Sequence, residues 1–134
     1  MISMKVHHIG YLVDSVDQSI DAFRMLGYSL LGETIFDEDR QAFLALLRSD
    51  STVVELVQPV PHSPLLNLRA KFKNAPYHIC YTCADLEEEC QSLRNKGFFP
   101  VREPEPAILF RNRRVCFMMH RQIGMIELLE DEMT

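Results

Sequence analysis

Two stretches of the chain have the residue pattern of β-strands, and each is followed by the pattern of an amphipathic helix. The stretches Lys5 to Val13 and Tyr77 to Cys83 are rich in β-branched and aromatic residues, which predicts strands. Helix-start signals follow at Asp14-Ser15 and at Asp85, and apolar residues then recur every three or four positions. Each half of the chain therefore begins with a strand and a helix.

Three further strands are predicted after each helix. In the first half they are Tyr28–Phe36, Gln41–Arg48 and Thr52–Gln58, and in the second half Phe98–Arg102, Arg114–Met119 and Gly124–Leu129. A segment with a short helical pattern joins the halves. We interpret the chain, residues 1–134, as a single domain of two βαβββ modules, the first spanning about 5–60 and the second about 75–130, with a linker at 61–74.

The two halves also share sequence features at a fixed spacing. A shift of 70 residues places His8-Ile9-Gly10-Tyr11 on His78-Ile79-Cys80-Tyr81. A shift of 72 residues places Val54-Glu55-Leu56-Val57 on Ile126-Glu127-Leu128-Leu129. Few of these pairs are identities, but the order of predicted elements is the same in both halves. The pattern indicates a duplicated plan.

Composition excludes several classes of function. The chain is 47% hydrophobic and long enough, at 134 residues, to bury a core without disulfides. Its 14 basic and 19 acidic residues give a net charge of −5, which argues against a nucleic-acid partner. Its apolar runs are too short to cross a bilayer, and no signal peptide is recognised. We therefore expect a cytoplasmic protein with no membrane partner and with reduced thiols, in which the spacing Cys80-Tyr81-Thr82-Cys83 is only a weak metal or redox signal.

The informative anomaly is a glutamate inside each of two apolar strands. Because side chains alternate across a strand, Glu55 shares a face with Val53 and Val57. An unpaired ionised carboxylate at such a position is costly to desolvate. Glu127 has the same setting in the second half. A single glutamate in such a strand either forms an ion pair or points outward after all. Two glutamates at equivalent positions of a duplicated plan suggest instead a shared cation.

Two histidines at equivalent positions complete the candidate ligand set. His8 precedes Glu55 by 47 residues, and His78 precedes Glu127 by 49. Imidazole nitrogens together with carboxylate oxygens suit Zn, Ni, Co, Fe or Mn(II), and the two carboxylates cancel the charge of a divalent ion. Four protein ligands leave two positions of an octahedral ion for water or substrate, which favours catalysis. Each histidine taken alone is more typical of an ordinary hydrogen-bonded residue.

Two further groups of charged residues have both a functional and an ordinary interpretation. Glu38 and Asp39 lie in a turn, where a carboxylate either transfers protons over a pocket or serves only the turn. Arg111, Arg113 and Arg114 flank an irregular loop. These arginines either bind an anionic part of a substrate or only increase solubility.

At these residues the chain resembles the vicinal oxygen chelate superfamily. The resemblance rests on four short motifs in order and runs from Val6 to Leu129. The motifs are His8-Ile9-Gly10, Val54-Glu55-Leu56, Tyr77-His78-Ile79-Cys80 and Ile126-Glu127-Leu128-Leu129. Within the superfamily the chain is most similar to small bacterial glyoxalase I-like proteins and, more distantly, to methylmalonyl-CoA epimerases.

The resemblance implies an α+β fold in which two βαβββ modules form a curved mixed sheet around a metal cleft. It implies one divalent metal (Zn, Ni or Co) and a homodimer, and it leaves open whether the two modules close the cleft within one chain or across the dimer. The ligands carried over by position are His8, Glu55, His78 and Glu127. Either Phe117 and Met119 or Cys116 and Met118 would line part of the cleft.

The resemblance also implies proton movement next to a carbonyl through a metal-bound enediolate. We expect a glyoxalase I-like lyase of the lactoylglutathione lyase type acting on a thiol adduct, with Glu127 as the base and Arg113 and Arg114 binding substrate. The alternatives are an isomerase of the methylmalonyl-CoA epimerase type acting on an acyl-CoA, with Glu38 or Asp39 as a second acid, and a non-catalytic ligand-binding protein. A ring-cleaving dioxygenase would leave Glu55 without a ligand role.

Overall fold

The computed structural model describes residues 4–131 and confirms the α+β class predicted from the sequence. The first half contains β1 (Lys5–Leu12), α1 (Val16–Arg24), β2 (Ser29–Asp37), β3 (Ala42–Ser49) and β4 (Thr52–Pro59). Helix α2 (Leu66–Phe72) follows. The second half contains β5 (Ala75–Cys83), α3 (Leu86–Arg94), β6 (Phe99–Pro100), β7 (Glu105–Ala107), β8 (Arg113–His120) and β9 (Gly124–Glu130). Among these residues, none of the helices has the length and apolar character needed to cross a membrane.

The first βαβββ module has its strands in the order β2-β3-β4-β1. Strand β1 is parallel to β4, and the other neighbours are antiparallel. Helix α1 begins where the sequence predicts it, because the Ser15 hydroxyl accepts a hydrogen bond from the Gln18 amide at 3.1 Å. The apolar side of α1 packs on one sheet face through Val16 and Ile20. The opposite face of the same strands is therefore available for other side chains.

The second module repeats this arrangement but departs from the prediction in one place. Strand β5 is parallel to β9, which is antiparallel to β8, and α3 packs against Cys116, Met118 and Leu128. The strand predicted at Phe98–Arg102 is reduced to Phe99–Pro100, and β7 and a short 3₁₀ turn at Ile108–Phe110 follow it. Pro100, Pro104 and Pro106 lie in this segment, and β6 and β7 pair with β8 at the edge of the sheet, where a residue that cannot donate to a ladder is tolerated.

The described residues divide into two compact units. One unit is His8–Tyr77. The other consists of the residues from His78 onward together with those up to His7, so the start of β1 belongs with the second half of the chain. The His7 ring meets the Phe110 ring edge-on at 5.2 Å within this unit. The domain boundaries predicted from the sequence stay a prediction.

Substituting Leu128 tests the core of the second unit. Leu128 is 0% exposed in the cluster beneath α3, so Leu128→Ala should leave a cavity and lower the free energy of unfolding by about 2–5 kcal/mol. Urea denaturation followed by circular dichroism measures this change. Ile123→Ala is the matched control because Ile123 is 63% exposed, and its effect should be within about 0.5 kcal/mol. Equal losses in the two variants would contradict the assignment of this core.

Candidate metal centre

The first unit holds a buried histidine–glutamate pair on the sheet face opposite α1. Glu55 of β4 lies beside Gly10 of β1 in the parallel ladder, and His8 is two residues earlier on the same face of β1. His8 and Glu55 therefore lie on one face of the two strands and meet there. Nε2 of His8 lies 3.3 Å from Oε1 of Glu55, and both side chains are fully buried.

The second unit repeats the pair in the equivalent strands. Glu127 of β9 lies beside Cys80 of β5 in the parallel ladder, with His78 two residues earlier. Nε2 of His78 lies 3.0 Å from Oε1 of Glu127, and both side chains are fully buried. Phe117 of β8 is the ladder partner of Glu127, and its ring meets the His78 ring edge-on at 5.2 Å. Of the two pairs of cleft residues left open by the sequence, Phe117 and Met119 therefore share the face of Glu127.

The geometry of each pair fits a divalent metal. Two donors at right angles and about 2.1 Å from one ion lie about 3.0 Å apart, close to the separations seen here. An imidazole nitrogen and a carboxylate oxygen are also the donor types that Zn, Ni and Co accept. Both glutamates are fully buried, and an ionised carboxylate away from water is costly unless a positive charge lies beside it. A bound divalent ion would supply that charge.

The structure adds two residues that the sequence analysis missed. Arg40 lies with Asp37 and Glu55 on the same side of the strands of the first module. Its Nη2 is 3.5 Å from Oε2 of Glu55, and its Nε donates to Oδ2 of Asp37 at 3.0 Å. All three side chains are at most 10% exposed. The sequence signal that could have identified them is the three-residue spacing of Asp37 and Arg40, which places an acidic and a basic side chain on either side of the turn. Glu38 and Asp39, the two acids of this turn that the sequence indicates as candidates, are exposed.

The arginines proposed for substrate binding have partners within the second unit. Arg114 donates from Nη2 to Glu87 of α3 at 2.5 Å and to Glu130 of β9 at 2.8 Å. These hydrogen bonds raise the pKa of Arg114, and the same contact lowers the pKa of Glu130. Arg113 donates to the backbone carbonyls of Phe110 and Glu130 at 3.4 and 3.3 Å. Both residues thus support the fold, and a role in substrate binding stays a prediction.

All four cysteines are free thiols and buried. Burial raises the pKa of Cys83 to about 12, with a smaller contribution from the nearby carboxylate of Glu89. A hydrogen bond with Cys90, followed by burial, raises the pKa of Cys116. Cys83 faces α3 in the core cluster, whereas Cys80 lies beside Glu127 on the other side of the sheet. The Cys80–Cys83 spacing therefore does not bring two thiols to one face.

Sequence comparison identifies the family. A model of the Glyoxalase/Bleomycin resistance protein/Dioxygenase superfamily matches residues 5–117, which include His8, Glu55 and His78. The chain belongs to this superfamily, and the resemblance inferred from its motifs is confirmed. Glu127 lies beyond the matched segment. Comparison with curated proteins gives no significant match.

Solved structures with the same fold cover nearly the whole chain. A hypothetical protein from Bacillus halodurans is 24% identical with a TM-score of 0.87, over 98% of this chain and 97% of that one. Methylmalonyl-CoA epimerase from Mycobacterium tuberculosis is 24% identical with a TM-score of 0.80, over 96% and 88%. A Streptomyces coelicolor methylmalonyl-CoA epimerase variant in complex with 2-nitronate-propionyl-CoA is 21% identical with a TM-score of 0.81, over 98% and 96%. At these identities the likeness establishes the fold.

The raised pKa of Cys83 predicts an inert thiol. At pH 8 its thiolate fraction is lower than that of an ordinary cysteine, so alkylation by iodoacetamide should be on the order of a thousandfold slower than in the unfolded chain. Mass spectrometry of tryptic peptides after timed labelling measures the rate at each cysteine. The same protein labelled in guanidinium chloride is the control, and comparable rates at Cys83 in both conditions would contradict the burial described above.

Proposed function

We propose that this protein is a metal-dependent isomerase of the methylmalonyl-CoA epimerase type, which inverts a proton-bearing carbon next to a thioester carbonyl. The observation that carries the proposal is the pair of fully buried His–Glu contacts at equivalent strands of the two modules. Each pair provides one borderline nitrogen donor and one hard oxygen donor. A fold without this chemistry would have little reason to bury two carboxylates at duplicated positions.

The proposed ligands act on a single ion. His8, Glu55, His78 and Glu127 are all buried and constitute a donor set that could hold one divalent metal, for which Zn, Ni and Co are the candidates. When bound, the metal would act as a Lewis acid that draws negative charge onto a carbonyl oxygen of the substrate. The two carboxylates balance the charge of the ion, so the loaded site is close to neutral before substrate enters.

The chain's own residues then have distinct roles. Glu127 takes the proton from the carbon next to the thioester carbonyl, since a carboxylate that can shift away from an ion is a competent base. Inversion requires that the proton return on the opposite side of that carbon, so a second acid is needed. Glu38 is proposed for this role, with Asp39 as the neighbouring candidate in the same exposed turn. The side chain of Asp37 is engaged with Arg40 and is not proposed.

An acyl-CoA substrate is preferred to the thiol adduct of the glyoxalase hypothesis, which the sequence favoured. Methylmalonyl-CoA epimerases recur among the structures of similar fold, one of them in complex with methylmalonyl-CoA. The glyoxalase reaction removes a proton next to a carbonyl in the same way, so the same donors would serve either substrate. A homodimer stays a prediction under both the epimerase and the glyoxalase hypotheses.

The substrate class is tested by assaying metal-loaded protein on two substrates side by side. Protein loaded with Zn, Ni or Co should bind about one ion per chain and epimerise methylmalonyl-CoA, with little turnover of the hemithioacetal of methylglyoxal. Chiral chromatography of the acyl group and absorbance of the thioester product measure the two reactions. Preferred turnover of the hemithioacetal would support the lyase, and failure to bind any of these metals would overturn both enzymes in favour of a ligand-binding protein.

Variants of the two proposed acids separate their roles. Glu127→Gln should lower turnover by about 10²- to 10⁴-fold because it removes the base. Glu38→Gln should stop inversion yet still allow solvent deuterium to enter one epimer. Glu127 would still remove the proton from one side of the carbon and return a deuteron to that same side. Proton NMR in D₂O follows both processes. Asp39→Asn is tested beside Glu38→Gln, and loss of inversion in Asp39→Asn alone would assign the second acid to Asp39. Normal epimerisation by Glu38→Gln would exclude Glu38, and normal turnover by Glu127→Gln would exclude the proposed base.

A further inference from the structure

We infer that Arg40 is a positioning residue that holds Oε2 of Glu55 and so leaves Oε1 to bind the metal. The inference rests on the proposed metal site but assigns a role to a residue outside the donor set. Its basis is the asymmetry of the Glu55 carboxylate. Oε1 faces Nε2 of His8 at 3.3 Å, whereas Oε2 faces Nη2 of Arg40 at 3.5 Å.

The Arg40 side chain is itself fixed by Asp37. Nε of Arg40 donates to Oδ2 of Asp37 at 3.0 Å. The other oxygen of Asp37 accepts hydrogen bonds from the backbone amides of Asp39 and Arg40, at 2.9 and 3.3 Å. Asp37 thus closes the turn and anchors the guanidinium at the same time. Because the Asp37 side chain is only 9% exposed, solvent screens this contact weakly.

The backbone of Arg40 is fixed by a second segment of the chain. The Ser63 hydroxyl donates to the carbonyl oxygen of Arg40 at 2.7 Å and accepts from the Leu65 amide at 3.1 Å. Ser63 is 7% exposed, so this contact is also shielded from water. The residue that contacts Glu55 is therefore held through both its side chain and its main chain, as expected of a group with a precise orienting role.

The shape of the guanidinium explains why arginine is required. Nε donates to Asp37 at 3.0 Å and Nη2 forms an ion pair with Glu55 at 3.5 Å, so a single planar group spans both carboxylates. A lysine would supply the same charge at one point and could not hold both carboxylates in these orientations. With Arg40 in place Glu55 offers one oxygen to an ion. Without it the carboxylate can rotate or offer both oxygens, and an additional oxygen would occupy a position needed by substrate.

The test compares Arg40→Lys with an arginine variant at an exposed ion pair of the same spacing. Arg40→Lys should weaken Co²⁺ and Zn²⁺ binding by roughly 10- to 100-fold, as is typical when the partner of a ligating group is removed. The control is Arg24→Met, because Arg24 pairs with Asp21 at 3.8 Å on the surface. Its metal affinity should equal that of the wild type. Competition titration monitored by Co²⁺ absorbance gives the dissociation constants, and circular dichroism verifies that each variant is folded.

A double-mutant cycle shows whether Arg40 acts through Glu55. In a Glu55→Gln background, adding Arg40→Lys should leave metal affinity unchanged to within about twofold, because the carboxylate that Arg40 orients is then absent. A roughly twofold difference is about the error with which the effects of separate substitutions add. The same loss in both backgrounds, or wild-type affinity in Arg40→Lys, would overturn the inference. Wild-type protein that binds no metal would instead overturn the proposed function, so the two failures are distinguishable. If Arg40→Lys does not fold, Asp37→Asn provides the same test by releasing the anchor of the guanidinium.

Discussion

The constraint on which this structure depends is the burial of two glutamates on the sheet face opposite the helices. Glu55 and Glu127 are both 0% exposed, and desolvating an ionised carboxylate is expensive unless positive charge or donors compensate for it. The neighbouring residues are arranged around this requirement: a histidine contacts each glutamate, and Arg40 contacts Glu55. A divalent ion would meet the same requirement, which connects the stability of the fold to the chemistry proposed for it.

Much of the fold and of the donor set could be predicted because both depend on short-range patterns. The strand period places Glu55 among apolar residues, and the repeat selects His8 and His78 from the five histidines of the chain. Arg40 could not be identified in this way. Its role depends on a turn closed by Asp37 and on a hydrogen bond from Ser63, which is 23 residues away in the chain. Strand pattern carries no information about such contacts.

The two modules share their candidate metal donors but differ in the residues around them. Gly10 lies beside Glu55, where Cys80 lies beside Glu127, and Leu46 lies across from Glu55, where Phe117 lies across from Glu127. Phe117, the ladder partner of the glutamate proposed as the base, meets the ring of His78, while the Arg40 guanidinium contacts the glutamate proposed only as a ligand. The repeated plan explains why each module has one histidine–glutamate pair. The different neighbours of the two glutamates allow one to be proposed as the base and the other only as a ligand.

The assignment of the residues up to His7 to the unit that begins at His78 has a consequence for how the chain is made. On the ribosome these residues emerge before the His8–Tyr77 unit, whereas Phe110, which His7 contacts, emerges about a hundred positions later. The His8–Tyr77 unit can close soon after its own last strand appears. The other unit must wait for residues beyond Tyr77, because its native contacts join segments far apart in sequence, and such topologies fold slowly.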